Sequence, residues 1–121
     1  MIIALWIVNA LLALAFIAAG FMKAVRPKEQ LAAAGMAWTD DYAAGSVKAI
    51  GLLEVVGGLG LILPLATGIL PILAPLAAVG LAIVMAGAVV VHVRRSESFA
   101  PSLVLGVLSI VSAVLGFVAL V

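Results

Sequence analysis

Gly51-Leu52-Leu53-Glu54-Val55-Val56-Gly57-Gly58-Leu59-Gly60 decides how the chain is read. It sets one carboxylate and four glycines inside a run from Ala49 to Val91 whose only other strongly polar side chain is Thr67. A run so apolar is much longer than the roughly 20 residues that one crossing needs, and it belongs in lipid. An ionised side chain at the centre of a bilayer helix costs about 2.5–3.5 kcal/mol on insertion scales, which makes Glu54 a candidate for function.

The rest of the composition agrees. Of 121 residues, 68% are hydrophobic and 9% charged, where a soluble domain is nearer half apolar and about a quarter charged. An integral membrane protein follows, a single domain over residues 1–121 with spans at about 2–23, 42–64, 70–93 and 101–121. The expected fold is an all-α four-helix bundle with a short interfacial helix between the first and second spans. Its first partner is the lipid bilayer. A net charge of +1, without a basic patch interleaved with aromatics, argues against nucleic acid. The chain has no cysteine, so disulfides, thiol relays and Cys-ligated iron–sulfur clusters cannot be built from it.

Met1 to Met22 carries no Lys or Arg, and its apolar run exceeds a signal-peptide h-region, so it is expected to be a retained span. Asn9, Ala13, Phe16, Gly20 and Lys23 recur along it at helical spacing and mark one packing face. Pro27 suits the first turn of a short surface helix through Ala34, and Met36, Trp38 and Tyr42 read as interfacial anchors. For residues 35–40 a flexible loop is the alternative. Thr39, Asp40 and Asp41 are expected to start the second span. Pro and Gly at both ends of 64–71 mark a tight uncharged turn, and Pro101 opens the fourth span. Gly106, Ser109, Ala113 and Gly116 form that span's small-residue seam. Lys23, Arg26, Lys28, Lys48, Arg94 and Arg95 are all the basic residues, and four spans put them on one side. The positive-inside rule makes that side cytoplasmic, with both termini outside the cell membrane.

Three polar residues could carry chemistry: Glu54, Lys23 and His92. Glu54 lies about 9 Å deeper than Lys48, with Gly51, Gly57 and Gly58 three or four residues away to let a neighbouring helix close in. It is either a polar contact that sets helix register or a carboxylate that exchanges a proton or binds a ligand. Lys23 either snorkels to the headgroups or turns inward to pair with Glu54. His92, the sole histidine, is either an interfacial cap or a proton shuttle towards Glu54. One histidine and four methionines without ligand spacing do not make a haem or metal site, so no intrinsic cofactor and no metal are expected. The glycines at 57–60 lie mid-span and are not a nucleotide motif. Gly51, Gly57, Gly58, Gly106 and Gly116 read as helix-packing positions.

Three segments, Phe16-Ile17-Ala18-Ala19-Gly20-Phe21-Met22-Lys23, the stretch from Gly51 to Pro64, and Ala86-Gly87-Ala88-Val89-Val90-Val91-His92, resemble the DoxX-like family of small membrane proteins. The resemblance covers nearly the whole chain and implies a compact four-helix membrane bundle. It also implies that Lys23, Glu54 and His92 are the family's polar positions. The name-giving members are linked to a membrane thiosulfate:quinone oxidoreductase, and other relatives to redox or oxidative-stress complexes. The resemblance therefore implies a helper or subunit of a quinone-linked membrane redox system. A quinone or similar amphipathic molecule is its candidate ligand near Glu54, and its candidate partners are a membrane redox protein and further copies of this chain. Two rivals stand beside it: a proton-coupled small-solute transporter, and a membrane scaffold or assembly factor. Whether the chain catalyses a reaction is left open.

Overall fold

The computed structural model describes residues 2–33 and 35–120. Among them four helices are long and apolar enough to cross a membrane: α1 (Ile2–Val25), α3 (Ala44–Thr67), α4 (Leu73–Arg94) and α5 (Ala100–Leu120). A short α2 (Lys28–Ala33) and a 3-10 helix (Ala37–Asp41) fill the link between the first two. Ala34 and Val121, expected to end the surface helix and the last span, lie outside the described residues.

The four long helices form a ring in which α1 packs on α3 and α5, and α4 packs on α3 and α5. Neighbours run antiparallel. Gly20 meets Gly51 while Asn9 reaches Leu61, and Met85 meets Gly106 while Pro75 meets Gly116. The ends of α1 and α4 and the starts of α3 and α5 therefore share one end of the bundle, and that end carries every Lys and Arg. Leu12, Phe16, Leu61, Ala78, Leu81, Met85 and Ala113 fill the middle. Less than a third of each span is buried, and the outer wall shows residues such as Ile3, Leu14, Val56 and Ile83. Such a surface is stable against hydrocarbon and not against water.

Three expected boundaries move. The turn expected over 64–71 shortens, because α3 continues through Pro64 to Thr67 and closes at Gly68, φ +70°. Thr39 does not start α3: with Asp40 and Asp41 it belongs to the 3-10 helix, where its hydroxyl donates to the Met36 carbonyl at 2.8 Å. Thr39 thus closes the preceding turn, and α3 starts after Ala43, whose carbonyl accepts from Ser46 and Val47. Pro27 stands just before α2, not inside it, and its carbonyl accepts from Gln30 and Leu31.

Two helix ends matter for the site. After α2, Gly35 takes φ +100°, and Met36 N–H returns to the Leu31 carbonyl at 2.9 Å. After α4, Ser96 takes φ +58°, Ser96 N–H bonds Val93 and Glu97 N–H bonds His92. Both are Schellman closures, which satisfy the last carbonyls of a helix and turn the chain back over it. The second one folds Glu97 onto His92.

Candidate functional site

Gly20 and Gly51 bring α1 and α3 into backbone contact. A Cβ on Gly20 would stand 2.5 Å from the Gly51 carbonyl oxygen, and one on Gly51 would stand 2.6 Å from that of Gly20. Nothing larger than glycine fits, and this contact lies level with Glu54. Side chains on a helix lean towards its N-terminus, so Lys23 leans inward from the end of α1 while Glu54 leans outward along α3. They converge. Lys23 Nζ donates to Glu54 Oε1 in an ion pair, with Glu54 1% and Lys23 8% exposed. The carboxylate faces protein, and the lysine has turned inward and not snorkelled.

The pair is covered at the charged end of the bundle. Lys23 Nζ lies 5.5 Å from the centroid of the Trp38 ring, a cation–π distance. Trp38 in turn meets His92 edge-on, centroids 6.5 Å apart at 82°, and Tyr42 at 5.9 Å. His92 Nδ1 is 3.2 Å from Glu97 Oε1, which also lies 3.3 Å from Arg95 Nε. The result is a connected row from Glu54 through Lys23, Trp38 and His92 to Glu97. Among the described residues His92 makes no contact with Glu54, and it is linked to the pair through Trp38.

The packing glycines lie at three interfaces. Gly51 and Gly58 face α1, where a Cβ on Gly58 would press the Ile17 side chain at 2.7 Å. Gly57 faces Leu81 of α4, and Gly106 and Gly116 of α5 face Met85 and Pro75 of α4. A second polar cluster lies deeper. Asn9 Nδ2 donates to the Leu61 carbonyl at 2.9 Å, and Ser112 Oγ donates to Asn9 Oδ1, joining α1, α3 and α5.

Sequence reading took Trp38 only as an interfacial anchor and did not place Glu97 in the site. For Glu97 a signal existed: a polar residue five after His92, just past the helix end, returns to it in a Schellman closure. For Trp38 there was none, because the partners that draw it into the site, Lys23 and His92, are distant in the chain.

The DoxX-like family model matches residues 7–118. The chain belongs to the DoxX-like family. The matched region of this DoxX-like protein includes Lys23, Trp38, Glu54 and His92, and the four crossing helices make it a multi-pass membrane protein. No curated protein and no solved structure matches the chain.

A buried lysine–glutamate pair presents one hydrogen-bond donor and one acceptor at a single point in an apolar bundle. That combination can dock a molecule that itself offers an oxygen acceptor or a hydroxyl donor.

Proposed function

We propose that this DoxX-like protein is a helper subunit of a quinone-linked membrane redox system, and that a quinone head docks at the Lys23–Glu54 pair. The observation that supports the reading is the burial of that pair against protein under Trp38. A quinone carbonyl would accept from the Lys23 ammonium, and a hydroquinone hydroxyl would donate to the Glu54 carboxylate, so one site serves both oxidation states. Electrons come from the partner enzyme. Trp38 closes the site at the charged end, and His92 with Glu97 holds the indole there.

The test is quinone binding by purified protein, read from Trp38 emission in a Trp6→Phe background that leaves one indole. Quenching should saturate with quinone, and Glu54→Gln should weaken it about tenfold or more, as loss of a charged hydrogen bond does. Unchanged binding and unchanged partner activity in Glu54→Gln would defeat the reading. Proteoliposome flux that depended on Glu54 would replace it with a carrier.

The same reading sets the charged end in the cytoplasm and both termini outside, by the excess of Lys and Arg on one side. Because the chain has no cysteine, single Ser98→Cys and Gly68→Cys variants report this directly. In intact cells an impermeant thiol reagent should label the Gly68→Cys variant and spare the other. The reverse pattern would invert the topology.

A further inference from the structure

The Lys23–Glu54 pair has unlike surroundings on its two sides. Away from the charged end the bundle is closed. Gly58 meets Ile17 and the Ala13 carbonyl while Gly51 meets Gly20, so Glu54 stands level with residues 17–20 of α1. Phe16 lies just beyond it, followed by Leu12 and Leu61, and none of the three is more than 1% exposed. The next polar contact is the one between Asn9 and Leu61, about 10 Å further along α3. Ser109, at the depth of Leu12, turns its hydroxyl back to the Leu105 carbonyl of its own helix at 2.7 Å. A water molecule needs several polar partners to be held, and this layer offers it none among the described residues.

Towards the charged end the cover is Trp38. The five-residue 3-10 helix that carries it packs chiefly on α2, so the indole reaches the bundle as a side chain. Among the described residues its contacts are those of a ring: the Lys23 ammonium, the edge of His92 and Tyr42. Contacts of this kind are individually weak, and a rotation of the side chain undoes them without moving a helix. His92 is fixed in turn through a strained turn. Ser96 takes φ +58°, a left-handed conformation that glycine adopts freely and serine does not. Against that strain stand the Glu97 N–H bond to the His92 carbonyl and the meeting of the Glu97 carboxylate with the His92 ring and Arg95. Strain in one direction and a few contacts in the other put this latch near balance.

We infer that the Lys23–Glu54 pair opens to the charged end alone, through a gate whose moving part is the Trp38 indole and whose latch is His92 with Glu97. With the indole swung aside, water reaches the ammonium and the carboxylate. With the indole in place, the pair is dry. That the gate serves a docked quinone rests on the proposed function; the gate itself does not.

The chain's own lysines test it, because Lys48 is exposed at the same end of the bundle and serves as the reference. Sealed membrane vesicles of each orientation are treated from outside with sulfosuccinimidyl acetate, an impermeant amine reagent. Acetylation at Lys23 and at Lys48 is then read by mass spectrometry. Lys23 should react slowly, and only from the face that labels Lys48. His92→Ala should raise the ratio of Lys23 to Lys48 labelling about tenfold by freeing the indole. Ser96→Gly relieves the strained turn and tightens the latch, so it should lower the ratio about threefold to fivefold. A slower reaction in that variant cannot come from unfolding. Acetylation of Lys23 from the face that spares Lys48 would overturn the one-sided opening. A ratio unmoved by both His92→Ala and Ser96→Gly would overturn the gate. Neither readout involves a quinone, so the binding lost or kept in Glu54→Gln stands or falls separately.

Discussion

The α1–α3 pair and the α4–α5 pair have similar lengths and similar hydropathy, and they pack in opposite ways. At α1–α3, two glycines touch backbone to backbone and a lysine–glutamate ion pair lies sealed beside them. At α4–α5, Gly106 and Gly116 meet only side chains, and the helices leave a groove open to lipid. Without water, apolar surface gains little from meeting apolar surface, so helices in lipid associate through close backbone approach and polar contacts. The first pair uses both. The second uses neither fully, and leaves apolar surface open to lipid.

The largest expected effect breaks the polar side of that contrast. Glu54→Leu or Lys23→Met alone leaves a buried charge unpaired and should cost about 3–5 kcal/mol of stability in detergent unfolding. Lys23→Met with Glu54→Leu together should recover most of the loss, since apolar replacement of a whole buried pair is often near neutral. A double variant as unstable as the singles would mean that the pair does more than balance charge. Next comes the close approach. Gly51→Ala puts a methyl against the Gly20 carbonyl and should cost about 1–3 kcal/mol, whereas Gly87→Ala, with nothing within 4 Å, should cost nothing and gain up to about 1 kcal/mol of helix propensity. Equal effects at the two glycines would erase the difference between the tight face and the open one.

Smaller effects sharpen it. Asn9→Leu removes the polar link among α1, α3 and α5 and should cost about 1 kcal/mol, the usual scale for such bonds in membranes. Ser96→Gly should stabilise the end of α4 by a similar or smaller amount, because it relieves a positive φ while keeping the Glu97 N–H bond to His92. Both are read from the unfolding midpoint, and a destabilising Ser96→Gly would show that the serine side chain has a role of its own.

Much of this was legible along the chain. Asn9, Ala13, Phe16, Gly20 and Lys23 could be assigned to one face from their spacing alone, and all five are buried. The seam on α5 could be read the same way, with Ser102 and Ser112 added to it by the structure. Thr39 misled because a capping residue serves whichever turn is nearest, and here that was the 3-10 helix. Trp38 looked like an anchor because an indole suits the headgroup region whatever it packs against.

Hydropathy and helical period are local properties, so the residue order by itself determined the four spans, the packing faces of the first and the last, and the gathering of every basic residue at one end. The inward turn of Lys23, the indole bridging it to His92, and the groove left between α4 and α5 depend on how the helices meet. Lys23 is 31 residues from Glu54, and Asn9 is 103 from Ser112. Contacts over such separations are decided by which backbones can approach closest, and only the tertiary structure settles that.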